Sequence, residues 1–132
     1  MERERSKLLP AVGLLLVAGC SSARDVEVSG RVTAPSALAV GGALVIDFID
    51  VVGEGRATER TVVHRAELSG LGELEANVML EGDQVLVRVI DDRDGDGECS
   101  LGEAWGETHA PVEDDEASDV SLMLGAKACP AR

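Results

Sequence analysis

The sequence predicts an all-β protein: a single small antiparallel β-sandwich of about six to seven strands. Three observations predict it. Apolar and polar residues alternate with period two over most of the chain beyond residue 25, the pattern of a strand with one face buried. Glycine-rich connections separate these runs at intervals of roughly 10 to 20 residues, as in small sandwiches. No segment carries the 3.6-residue period of an amphipathic helix, so sheet must pack on sheet.

The elements follow in order. Val26, Val28 and Val32 alternate in DVEVSGRVT and make the first strand; APSALAVGG, with Pro35, Gly41 and Gly42, then breaks regular structure. Leu44, Ile46 and Phe48 in ALVIDFID make the second. Gly53 and Gly55 turn the chain into TERTVVHRAEL, the third strand, and SGLG turns it again. Leu74, Ala76, Val78 and Leu80 alternate in GELEANVML. After the Glu81-Gly82-Asp83 turn, QVLVRVID is apolar on nearly both faces, which predicts an internal strand. An acidic loop comes next. LGEAWGETHAP leaves that loop as a connection, since Gly102, Gly106 and Pro111 forbid a long helix. The EDDE run, Glu113 to Glu116, reads as a solvated loop, and DVSLML, from Asp119, is the last strand before Cys129.

Residues 1–19 stand outside this pattern. Arg3, Arg5 and Lys7, diluted by Glu2 and Glu4, precede an apolar stretch from Leu8 to Ala18 that is too short to remain as a membrane span. It ends in Val17-Ala18-Gly19-Cys20, which resembles the lipobox of bacterial lipoproteins: an aliphatic residue, two small residues and a cysteine. Valine stands where leucine is the commoner choice. The resemblance implies a lipoprotein signal peptide over residues 1–19, a lipidated Cys20 with a polar tether over residues 20–25, and the sandwich over residues 26–132. The alternatives are a short amphipathic helix with an incidental cysteine and an ordinary secretory peptide cut elsewhere. The lipobox further implies a bacterial cell-envelope protein anchored to the membrane through Cys20, and Ser21 in place of aspartate resembles the outer-membrane signal.

Charge narrows the partners. The whole chain has a formal charge of −13; residues 1–19 hold three of its 12 basic and two of its 25 acidic residues, leaving −14 on the remainder. A phosphate backbone needs cationic neutralisation, so nucleic acid is excluded as a partner and divalent cations or a basic protein are favoured. Phe48 and Trp105 are the only aromatic residues, so the core is aliphatic and thin. With Cys20 taken by lipid, Cys99 and Cys129 form an even pair in an oxidising compartment and are expected to make a disulfide; two separate thiols are the alternative.

The loop from Asp92 to Glu103, DRDGDGECSLGE, has oxygen-bearing side chains at its first, third, fifth, ninth and twelfth positions and Gly97 at the sixth. Calcium gathers six to eight hard oxygen ligands, and alternate side chains with a glycine turn supply them from one short segment. Asp92, Asp94 and Asp96 would each give a carboxylate oxygen, Glu98 a backbone carbonyl, Ser100 a hydroxyl or a bridging water, and Glu103 both oxygens. This resembles the calcium loop of an EF-hand, but a strand enters it and no long helix leaves it. Cys99 stands at the eighth position, and no second loop of the kind exists in the chain. A plain hairpin turn is the alternative, because Asp94-Gly95 and Asp96-Gly97 are themselves turn dipeptides.

Other chemistry is sparse. His64 lies mid-strand and His109 in a loop, at no zinc spacing, and no phosphate loop or nucleophile elbow is present. Val28-Ser29-Gly30-Arg31-Val32 with Pro35, Gly42 and the strand through Phe48, Gly72-Glu73-Leu74, and Val85 to Ile90 together resemble the transthyretin-like, or carboxypeptidase-regulatory-like, sandwiches of bacterial surface proteins, over residues 26–92. Leu74 stands where those modules carry an aromatic residue. The resemblance implies a structural or adhesive module without an active site. The expected function is therefore a non-catalytic, membrane-anchored structural or binding module stabilised by one Ca²⁺. The alternative is an envelope adhesion or assembly subunit that docks a basic protein partner, its acidic loop only a solvated turn.

Overall fold

Alternating valine and leucine become seven strands in the computed structural model, which describes residues 23–129. They are β1 (Arg24–Thr33), β2 (Ala43–Val52), β3 (Glu59–Leu68), β4 (Gly72–Leu80), β5 (Gln84–Asp92), β6 (Trp105–Pro111) and β7 (Glu116–Met123), with a 3-10 turn at Gly55–Ala57 before β3. The expected signal peptide, residues 1–19, and Cys20 lie outside the described residues. Strand β1 begins inside the expected tether, at Arg24, whose guanidinium donates to the Gly82 carbonyl at 3.1 Å and pairs with Asp115 at 3.2 Å.

Two sheets form the sandwich: a three-stranded one in the order β4-β1-β7 and a four-stranded one in the order β3-β2-β5-β6. Their inner faces carry Val26, Val28, Val32, Leu74, Val78 and Leu80 from one side and Leu44, Ile46, Phe48, Val85, Val87 and Val89 from the other, all buried in one core. Val45, Ile49, Leu86 and Ile90, on the opposite face of β2 and β5, are buried as well. Burial on both faces is why β5, apolar throughout, is internal; β2 is internal for the same reason.

Three features depart from simple alternation. Strand β6 occupies the segment expected to be a connection, and His109 lies within it. Its core-side residues are Gly106, Thr108 and Ala110, opposite Val89, Val87 and Val85, too small to give an apolar period. Strand β7 starts three residues before the expected one and pairs with β1 in parallel, the single exception to antiparallel pairing. Its pattern slips because Ser118 and Asp119 both face Ser29: Val28 opposes Ala117 while Gly30 opposes Val120, and Asp119 has φ 59°. Only glycine fits at position 30, where a Cβ would stand 2.0 Å from the Val120 carbonyl oxygen. Finally, the EDDE run is a tight turn that returns the chain from one sheet to the other. Glu113 and Glu116 exchange backbone hydrogen bonds of 2.9 and 3.0 Å around Asp114 and Asp115, both left-handed, a conformation aspartate tolerates.

Phe48 is 1% exposed and is the largest fully buried side chain. Phe48→Ala should lower stability by about 3 to 5 kcal/mol, read as a fall in the urea midpoint at constant m-value. A loss under about 1 kcal/mol would contradict this core.

Candidate metal centre

Strand β5 ends in two carboxylates, and because successive side chains on a strand point to opposite faces, Asp91 and Asp92 serve different structures. Asp91 is fully buried and accepts hydrogen bonds from the backbone N–H groups of Gly41 (3.1 Å) and Gly42 (2.7 Å) and from Arg93 Nε (3.3 Å). It fixes the β1–β2 connection against the end of β5. Asp92 opens the acidic loop and is 8% exposed.

The loop wraps around its own carboxylates. Gly97 N–H donates to Asp92 Oδ2 at 2.8 Å, Asp96 N–H to Asp94 Oδ1 at 3.2 Å, and Glu98 N–H to Asp96 Oδ1 at 2.9 Å. Positive φ at Gly95 (76°) and Gly97 (75°) makes this path possible. Glu103, buried beneath the loop, accepts from Arg93 N–H (2.7 Å) and Asp94 N–H (3.3 Å) on Oε2 and from Ser100 N–H (2.8 Å) on Oε1. One oxygen each from Asp92, Asp94, Asp96 and Glu103 lies within 4.8 Å of the others. Ligands of one calcium ion, each about 2.3 to 2.6 Å from it, stand at most about 5 Å apart, so the group can hold a metal ion.

The structure thus brings together four of the six expected ligand residues. Ser100 sits beside them, its hydroxyl donating to Asp96 Oδ2 at 3.2 Å. Glu98 was expected to offer only its backbone carbonyl, and its side chain is not in the group. The acids at Glu113 to Glu116 are not in it either. The four residues offer only hard oxygens, without nitrogen or sulfur, a donor set suited to calcium or magnesium rather than zinc or copper.

Comparing the buried acids isolates one atom. Asp47 is held bidentately by Arg65, Asp50 by the N–H groups of Glu81 and Gly82, Asp91 and Glu103 as above. Among the described residues, Asp92 Oδ1 is the one buried side-chain oxygen or nitrogen without a hydrogen-bond partner. A buried carboxylate oxygen left unsatisfied costs on the order of 1 to 3 kcal/mol or more. The Asp92 side chain also belongs to the group of four carboxylates that could hold a metal ion.

Two neighbours hold the loop in place. Cys99 and Cys129 lie at disulfide distance, Sγ–Sγ 2.00 Å, joining the loop to the C-terminal segment. That segment runs back over Trp105, whose indole N–H donates to the Ala128 carbonyl at 2.7 Å and whose ring lies 4.6 Å from Lys127 Nζ. The tryptophan therefore packs beneath the tail that staples the loop. From β3, Arg65 reaches the other side: an added Cβ on Gly97 would stand 2.8 Å from its Nη1. Its pKa is raised above the ordinary guanidinium value, first by the hydrogen bond to Asp47 and further by the charges of Asp47, Asp92 and Glu98, against the opposing effect of desolvation.

Sequence patterning alone does not reveal Asp91, Arg93 or Arg65 as parts of this region. Acids interrupting apolar strands, at Asp47, Asp50 and Asp91, were the signal available. No known family model, curated protein or solved structure matches the chain.

Replacing both Cys99 and Cys129 by serine should lower stability by about 3 to 4 kcal/mol, the chain-entropy value for a loop of this size, measured by urea unfolding with and without reductant. Equal midpoints for wild type and the double variant under oxidising conditions would show the staple to be absent.

Proposed function

We propose that this chain is a non-catalytic, lipid-anchored β-sandwich module of the bacterial cell envelope in which one Ca²⁺ pins the loop at the end of β5. The unpartnered Oδ1 of Asp92, buried among four converging carboxylates, carries the reading. Calcium is favoured over magnesium because four protein carboxylates converge, more than a magnesium ion usually takes. Magnesium prefers a rigid octahedron and keeps most of its waters. Extracellular sites of this kind bind at about 10⁻⁴ to 10⁻³ M, so an ion is held whenever the protein is outside the cytoplasm.

The ion here is a staple, not a switch. Strands β5 and β6 flank the loop, where a sensor has two helices that swing apart. The resemblance of residues 26–92 to transthyretin-like modules supports a structural or adhesive role. The lipobox-like VAGC supports lipidation at Cys20, and three acyl chains anchor a protein far more firmly than one.

Thermal melts test the ion. Calcium at a hundredfold excess over its Kd should stabilise the folded domain by about 2.7 kcal/mol relative to EDTA. Asp92→Asn should erase that response while leaving the EDTA melt unchanged or raised. A wild-type melt indifferent to calcium would refute the structural ion. Fractionation tests the anchor: Cys20→Ala should move the protein out of the membrane fraction or leave the precursor uncleaved, and unchanged membrane retention of a processed protein would contradict it.

A further inference from the structure

We propose that Arg65 sets the strength of cation binding at the loop, acting as a fixed positive charge that weakens the site for a divalent ion. This rests on the metal-binding function proposed above and concerns a residue outside the loop. The inference begins in the sheet. Asp47 is one of two buried acids, with Asp50, in the mainly apolar strand β2, so it requires a partner. The β2–β3 register supplies one directly opposite in Arg65. Nε and Nη2 of the guanidinium donate to Asp47 Oδ1 and Oδ2 at 2.6 and 2.9 Å, a bidentate pairing that fixes the plane of the group.

With two nitrogens committed, the third, Nη1, stands against Gly97. Gly97 donates its own N–H to Asp92 Oδ2 at 2.8 Å, so the guanidinium is separated from the central ligand by a single residue. Glycine suits position 97 through its left-handed φ and because an added Cβ would press on the Arg65 guanidinium. The other nearby arginine is oriented differently. Arg93 turns its guanidinium to Asp91 and to the Ala39 carbonyl, and so serves the β1–β2 connection.

A charge so placed acts in both states of the loop. Without a divalent ion it offsets part of the repulsion among Asp92, Asp94, Asp96, Glu98 and Glu103. With the ion it adds a cation–cation repulsion that the carboxylates must overcome. Both effects lower affinity, and they do so electrostatically, which separates this role from mere support of the fold.

Direct calcium titration of the full mature chain by calorimetry tests it, for wild type, Arg65→Gln and Arg65→Lys. Arg65→Gln should tighten calcium binding about three- to tenfold at low salt, the scale of one charge removed at this range. The gap should narrow at high salt as screening sets in. Arg65→Lys, which keeps the charge and loses the fork, should stay near wild type. Should Arg65→Gln unfold through the unpaired Asp47, Asp47→Asn combined with Arg65→Gln removes the buried carboxylate and should tighten binding by a smaller factor. Unchanged or weaker binding by the neutral variants, or a gap that salt does not move, would overturn the role of Arg65. A wild type that binds no calcium would instead overturn the metal-binding function itself, and this inference with it.

Discussion

The last two residues of β5 set the constraint on which this end of the molecule depends. Adjacent on a strand, Asp91 and Asp92 point to opposite sides, and both are withdrawn from water. Burying a charge is expensive unless it is paired and hydrogen-bonded. Asp91 meets that requirement entirely with protein donors, from Gly41, Gly42 and Arg93. Asp92 meets half of it, with Gly97 on one oxygen, and leaves the other to be satisfied by something the chain does not provide. A divalent cation, as proposed, would satisfy that oxygen and draw on the three further carboxylates gathered beside it.

The same device recurs across the fold. A small sandwich with an aliphatic core has little hydrophobic energy to spare, and irregular connections are its weak points. Buried aspartates secure several of them: Asp50 holds the β4–β5 turn through Glu81 and Gly82 as Asp91 holds the β1–β2 connection. At the acidic loop the device is extended. Glu103 caps three loop N–H groups, Cys99 and Cys129 tie the loop to the tail, Trp105 seats that tail, and Arg65 braces the far side. The loop is thus held by its own hydrogen bonds to Glu103 and by a covalent tie to the tail, with the Arg65 guanidinium beside it. Such bracing suits a site that stays formed.

Much of this was legible in the sequence, and the exceptions have physical causes. Strands with large alternating residues, β1, β2 and β4, were readable from period two, β3 was placed by the glycine turns on either side of it, and the centrality of β5 followed from its two apolar faces. Strand β6 was not, because Gly106, Thr108 and Ala110 turn a nearly blank face to the core. The start of β7 was hidden by the bulge at Ser118 and Asp119, which shifts the buried positions from Ala117 to Val120. The four carboxylates of the loop were visible as a spacing, since ligands from one segment need no knowledge of the fold. Arg65 was invisible. Its place at the loop depends on the register of β2 with β3 and on the path of the loop back toward that strand, both long-range properties that no local pattern encodes.

The central claim is that Asp92 Oδ1 is a ligand and not merely an unsatisfied atom. Its most direct test is a crystal of the domain grown with calcium and measured for anomalous scattering. The account predicts a peak bonded at about 2.3 to 2.6 Å to Asp92 Oδ1 and to oxygens of Asp94, Asp96 and Glu103. A well-ordered loop at millimolar calcium with no peak there, and Asp92 Oδ1 hydrogen-bonded to water or to protein, would contradict it.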